Sequence, residues 1–157
     1  MEERCSGQSY PGPGQVSLPF RSYSYREGVR WYCFEINTDL VTFDEAEALC
    51  QVNRNGGHLA SIRSETLVRR IGAYLSQANM DENSVWIGLQ RTPTVNMQRD
   101  WRWTDGTPFG YSNWLGGKPS NVGGKHCVVL TPGSGYKSWD DATCSLTKPF
   151  LCKWRAS

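Results

Sequence analysis

The chain has 157 residues, the size of one ordinary domain, and only 38% of them are hydrophobic. Its formal charge of +2 is too small for whole-chain electrostatics to select nucleic acid as a partner. No run of about 18 apolar residues occurs, so the sequence contains no helix-length membrane span.

Residues 1–30 predict an extended, irregular arm. They open Met1-Glu2-Glu3-Arg4, which is polar and lacks the apolar stretch of a signal peptide. Tyr10-Pro11-Gly12-Pro13-Gly14 and Ser22-Tyr23-Ser24-Tyr25 follow, turn formers with no lasting period. The domain itself is predicted over 31–157. Trp31 to Ile36 is aromatic and β-branched and reads as a strand. Thr42-Phe43-Asp44-Glu45 fits a capping box, and Phe43, Ala46, Leu49 and Cys50 follow at helical spacing. Gly56-Gly57 stops that helix. His58 to Ile62 reads as a short strand. Ser64 then caps a second helix with Leu67, Ile71, Tyr74 and Leu75 on one face. Arg69 and Arg70 fall on the other face, as charged residues of a solvated helix do; an anionic contact is their functional alternative. From Val85 onward short strands alternate with turns. Helices first and strands afterwards predict an α+β fold.

Large aromatics, including seven Trp and five Phe, supply much of a modest core. Six Cys, with no CxxC pair and no Cys/His cluster at zinc spacing, predict disulfides. Disulfides in turn predict an oxidising, extracellular compartment. Six cysteines allow about 15 connectivities, and their spacing selects none of them.

The later motifs are informative as an ordered set. Trp86-Ile87-Gly88-Leu89 precedes Trp101-Arg102-Trp103-Thr104-Asp105-Gly106 and Trp114. Cys127-Val128-Val129-Leu130, Trp139-Asp140-Asp141, Cys144 and Phe150-Leu151-Cys152 follow. In this order, from Trp31 to Lys153, they resemble the C-type lectin-like domain family. The resemblance implies two helices flanking small antiparallel sheets, with a long loop region that carries ligand sites. It implies the pairs Cys50–Cys152 and Cys127–Cys144, and leaves Cys5 to Cys33. The stretch between those last two is longer than the family's N-terminal hairpin, so a Cys5 bond to a second chain is the alternative. The resemblance also makes Trp86, Trp101 and Trp103 core residues, with sugar stacking as the alternative. The alternation of 101 and 103 agrees with a shared sheet face.

Calcium-dependent members of the family hold sugar through an ion bound by Glu-Pro-Asn or Gln-Pro-Asp, a further Glu before a Cys, and Trp-Asn-Asp. A hard cation needs several oxygen ligands. Here Lys118-Pro119-Ser120 stands at the first motif, and Lys125 stands at the Glu position, followed by His126. Only Asp140 and Asp141 keep carboxylates. An ammonium has donors and no lone pair, so it cannot coordinate a metal. The loop after Leu89 offers Arg91 and Val95 where acidic ligands are usual, leaving Asn121 alone for an auxiliary ion. The expectation is therefore no cofactor, calcium included. The candidate ligand-binding residues are Lys118, Ser120, Asn121, Lys125, His126, Asp140 and Asp141, beside Trp114 and Tyr136.

The expected partner is a glycan or a protein ligand. Lys118, Lys125, Arg91 and Lys137 favour an anionic glycan, sulfated or carboxylated. The alternative is a protein-recognition receptor or secreted effector with no sugar binding, and ice- and mineral-binding relatives form a third class. An enzyme is not expected. The two His, His58 and His126, come with no HExxH, P-loop or nucleophile elbow, and Gly133-Ser134-Gly135 reads as a turn. No Asn-x-Ser/Thr acceptor occurs either.

Overall fold

The computed structural model describes Cys5 and residues 22–78, 80–92 and 101–156. The expectations for the rest of the N-terminal arm, and for Val95, lie outside the described residues. Among these residues eight strands and two α-helices follow in chain order. β1 is Tyr23–Glu27, β2 Arg30–Val41, α1 Phe43–Asn53, β3 His58–Leu59 and α2 Glu65–Ser76. β4 is Val85–Arg91, β5 Trp101–Trp103, β6 Cys127–Leu130, β7 Trp139–Ala142 and β8 Lys148–Arg155.

β1 corrects the reading of an irregular arm. Tyr23–Glu27 pairs antiparallel with β2, Tyr23 opposite Phe34 and Glu27 opposite Arg30. Alternation in Tyr-Ser-Tyr is too short to register as a period, yet Tyr23 and Tyr25 pack against the core beside Phe34.

The strands form one sheet in the order β1-β2-β8-β4-β6-β7, with β3 beside β8 and β5 beside β4. The sequence suggested small antiparallel sheets; the sheet is mixed, because β4 runs parallel to β8 at Trp86 and Phe150. Both helices start as their caps dictate. The Thr42 hydroxyl accepts the Glu45 N–H at 3.3 Å while the Glu45 carboxylate accepts the Thr42 N–H at 3.0 Å. The Ser64 hydroxyl accepts the Leu67 N–H at 3.2 Å.

The period of 2 along the central strands sorts side chains between two cores. Val85, Ile87 and Leu89 of β4, with Val128 and Leu130 of β6, join Leu67, Ile71 and Leu75 of α2. Trp86, Cys127, Val129, Phe150 and Cys152 join Phe43, Ala46 and Cys50 of α1 on the opposite face. This is why the central strands read as near-continuous apolar runs. Gly88 interrupts β4 for a steric reason. Its N–H donates to Ala60 O at 2.8 Å and its carbonyl accepts from Thr104 N. A Cβ there would collide with the Leu59 backbone.

Three disulfides join Cys5 to Cys33, Cys50 to Cys152 and Cys127 to Cys144. The first sits with Trp154 in a small separate cluster. The second ties α1 to β8. The third ties β6 to the turn after β7 and fixes the base of the long loop. Trp101 and Trp103 are buried on either side of exposed Arg102, as their alternation requires.

Candidate functional site

The loop between β5 and β6, residues 104–126, lies over Trp139. Trp114 forms a bridge to Trp139, and the Leu115 N–H donates to Trp139 O at 2.8 Å. The Trp114 ring lies against Trp101 and Trp139, with centroids 5.0 and 5.8 Å away. Trp114 therefore anchors the loop, half-buried, with an indole packed against it from each of two strands.

Beyond this anchor the Lys118–Pro119 peptide is cis, and the candidate residues converge on β7. The Lys118 ammonium lies 3.3 Å from Asp140 Oδ1. Ser120 closes on Asp141 twice: its N–H donates to Oδ1 at 2.9 Å and its hydroxyl to Oδ2 at 2.7 Å. The Ser120 hydroxyl also accepts the Val122 N–H at 3.2 Å. Asp141 is only 2% exposed. Burial alone would push its carboxyl up. The two Ser120 donors, its own N–H and the Asp140 side chain outweigh that and hold it below the ordinary aspartate value.

Arg91 differs from its sequence reading. It is 1% exposed, and its guanidinium donates to Asn121 Oδ1 at 3.0 Å and to Val122 O at 3.5 Å. It also lies over the Trp101 ring, 5.2 Å from the centroid. Arg91 is an internal strut beneath the loop, not a charge offered to a ligand. The signal was present in the sequence: residues 85, 87, 89 and 91 alternate onto one buried face. Asn121 is correspondingly engaged, its side-chain oxygen facing the arginine.

Lys125 and His126 complete the loop. Among the described residues the Lys125 ammonium has no hydrogen bond or ion pair. His126 Nε2 accepts the Gly124 N–H at 3.2 Å, and its enclosed Nδ1 has no hydrogen-bond partner. Tyr136 and Lys137 do not join this group. The Tyr136 hydroxyl donates to Asn83 O at 3.1 Å, in the turn before β4. The Lys137 stem runs against Gly72 of α2, where a Cβ would strike it. Of the four cations read as an anionic-ligand signal, one is buried, one is paired and one lies against a helix. Lys125 is left. On the same loop Leu115 and Val122 are exposed, Val122 at 50%, and the Val122 carbonyl accepts the Lys125 N–H.

Two other expectations concern catalysis. His58 Nδ1 lies 2.6 Å from Glu47 Oε2, whose other oxygen accepts the Leu59 N–H at 2.9 Å. The pair joins α1 to β3. The Ser134 hydroxyl donates to Thr131 O at 2.9 Å and accepts the N–H groups of Lys137 and Ser138. It closes a turn, and its hydrogen bonds among the described residues are all within that turn. Among the described residues no three His, Cys, Asp or Glu side chains converge as a metal site would require.

Known proteins share this arrangement. Residues 39–154 match the family described as the lectin C-type domain. Lithostathine-1-beta of Homo sapiens is 33% identical over 145 residues, 92% of this chain and 82% of the relative. A solved structure of human lithostathine superposes with a TM-score of 0.76 at 33% identity, covering 88% of this chain and 99% of that one. A structure titled as a calcium-independent type II antifreeze protein gives a TM-score of 0.66 at 30% identity over 91% of this chain and 98% of its own. Since the match spans the helices, the central strands and the loop over Trp139, the chain belongs to the lectin C-type domain family.

Proposed function

We propose that this chain is an extracellular recognition module, not an enzyme, that binds a glycan or glycoprotein through its long loop without calcium. The observation that carries the reading is the occupancy of the loop's oxygen atoms. Both Asp141 oxygens accept from Ser120, the Asn121 side-chain oxygen accepts from Arg91, and Asp140 faces Lys118. A calcium ion needs several free oxygens at once, and here each carboxylate already has a donor or cation from the chain itself. The similarity to a structure titled as calcium-independent supports the same reading. Three disulfides support an extracellular compartment. The match to a lectin C-type domain, and the engagement of His58 and Ser134 in structural contacts, support recognition over catalysis.

A glycan array run with and without EDTA tests the reading. Binding is expected to persist in EDTA, and Lys125→Ala is expected to weaken it about tenfold, the loss of one charged hydrogen bond. Loss of binding in EDTA, or calorimetric binding of millimolar calcium, would overturn it.

A protein ligand is the second reading, favoured by the exposed Phe109, Leu115 and Val122 of the loop. Apolar side chains on such a surface suit a protein epitope. A captured partner that still binds after enzymatic deglycosylation selects this reading over the first.

A further inference from the structure

Besides Lys125 on the long loop, exposed cationic side chains of the described residues gather around β1, β3 and β8. Where β1, β3 and β8 meet, a cleft of about 230 Å³ is lined by Glu27, His58, Arg63, Asp105, Lys153 and Arg155, among others. A more open depression of about 480 Å³ is lined by Tyr25, Arg26, Gly28 and Ser64 and shares Glu27 and Arg63 with the cleft. The shared residues make the two a continuous groove. Its lining holds four cationic side chains, Arg26, Arg63, Lys153 and Arg155, against two carboxylates, Glu27 and Asp105.

The carboxylates are already engaged from within. The Lys153 ammonium, 4% exposed, donates to Glu27 Oε1 at 3.3 Å and to the carbonyl and hydroxyl of Ser61 at 3.1 and 3.0 Å. The Ser61 hydroxyl donates to Asp105 Oδ2 at 2.5 Å, and the Thr107 N–H donates to Asp105 Oδ1 at 2.9 Å. Lys153 spends its three donors on these contacts, so it is a fixed floor and not a ligand contact. Arg26, Arg63 and Arg155 are exposed, and none of them has a hydrogen bond or ion pair among the described residues. Three exposed guanidiniums therefore rim a groove whose Glu27 is paired with Lys153 and whose Asp105 is held by the Ser61 hydroxyl and the Thr107 N–H, so the lining keeps an excess of positive charge. A concave, low-dielectric wall concentrates such a field. Guanidinium forks match sulfate and carboxylate oxygens in pairs.

We propose that this groove is a second binding site that takes an acidic polysaccharide, its sulfate or carboxylate groups held by Arg63 and Arg155 in the cleft and by Arg26 in the depression beyond. The cleft is smaller than the roughly 300 Å³ at which sites for compact organic ligands begin, which suits one sugar unit of a chain. The open depression lets the chain run on past Arg26. The site takes Asp105 and Thr107 from the start of the loop 104–126 but none of the residues from Lys118 to His126, so it stands or falls independently of the function proposed there.

The test uses the full chain on immobilised heparin, with calorimetry against a heparin oligosaccharide. Arg63→Ser/Arg155→Ser is compared with Arg69→Ser/Arg70→Ser, which removes the same charge from the exposed face of α2. The groove pair is expected to weaken binding at least about tenfold and to elute at lower salt; the helix pair is expected to stay within about twofold of the parent. Arg26→Gln alone, at an exposed position, reads the depression if the double variant folds poorly, and should weaken binding by several-fold. Equal losses from both pairs would mean diffuse charge and would overturn the proposal, as would failure of the parent to bind heparin. A polyglutamate peptide that binds as tightly through the same arginines would overturn the choice of a saccharide.

Discussion

Among the described residues a lysine faces a carboxylate at two places, and the two pairs have opposite characters. Lys153 and Glu27 sit 3.3 Å apart with side chains 4% and 15% exposed; Lys118 and Asp140 sit at the same distance but are 28% and 31% exposed. Lys153 also lies 4.6 Å from the Tyr32 ring centroid and 5.3 Å from that of Phe34. Burial pushes its ammonium down, and so does Arg63; Glu27 and Asp105 pull it back up without fully compensating. Lys118 has water on one side and can release its partner at small cost. Each pair has a disulfide beside it: Cys50–Cys152 adjoins Lys153, and Cys127–Cys144 brackets Asp140 and Asp141. The same two devices make a fixed floor at one end and a removable latch at the other. The difference is burial.

The staples give the largest expected effects. Cys50–Cys152 spans 102 residues and Cys127–Cys144 spans 17. By the chain-entropy account their removal should cost about 4.7 and about 3 kcal/mol. Urea unfolding of Cys50→Ser/Cys152→Ser and Cys127→Ser/Cys144→Ser measures both. A loop staple that costs more than the long-range one would break the comparison. Next comes Lys153→Ala, which strands Glu27 and Ser61 in a partly dry site. A loss of about 3 kcal/mol is expected. A loss under about 1 kcal/mol would show that water reaches the floor and that the two lysines are alike.

Much of this contrast was legible in the sequence only on the scaffold side. The capping box at Thr42, the Ser64 cap and the alternating tryptophans follow from local rules, because caps and periods act over a few residues. The fold and the pairings of Cys50 and Cys127 came instead from the ordered motifs, which left Cys33 to Cys5 with a bond between chains as the alternative; the structure joins Cys5 to Cys33. Exchange of loop carboxylates for Lys118 and Lys125 was readable as chemistry. What could not be read was which cations are free. Arg91, Lys125, Lys137 and Arg155 carry the same charge in the sequence, and long-range packing distributes them. Arg91 passes under Asn121, Lys137 lies along Gly72, and Lys125 is left open. The groove joins Glu27, Arg63, Asp105 and Arg155, which lie as far apart in the chain as 27 and 155. No spacing rule connects them.

On the loop side the effects shrink in order. Asp141→Asn keeps the shape but removes the charge that Ser120 solvates twice, and should cost about 2 kcal/mol. The pH dependence has a definite sign. Asp141 titrates below its ordinary value in the folded chain, so its contribution is complete above about pH 4 and is lost as pH falls through the lower folded value. Exchange of the Ser120 and Val122 amides with deuterium should therefore accelerate in acid in the parent, and should be fast and pH-insensitive in Asp141→Asn apart from intrinsic chemistry. An unchanged parent would show that the loop is held by Arg91 and Trp114 instead.

Lys118→Ala should have the smallest effect. An ion pair this exposed contributes about 0–1 kcal/mol, and Asp140 turns to water when it is lost. The value of the variant is in what accompanies that small change. Stability within about 1 kcal/mol of the parent, with the glycan signal altered, would mean that Lys118 acts on the ligand by opening the loop or contacting the sugar. A loss near 3 kcal/mol would make Lys118 a second Lys153, a structural substitute for the metal. Thermal unfolding and the array, run on one preparation of Lys118→Ala, separate a latch from a strut.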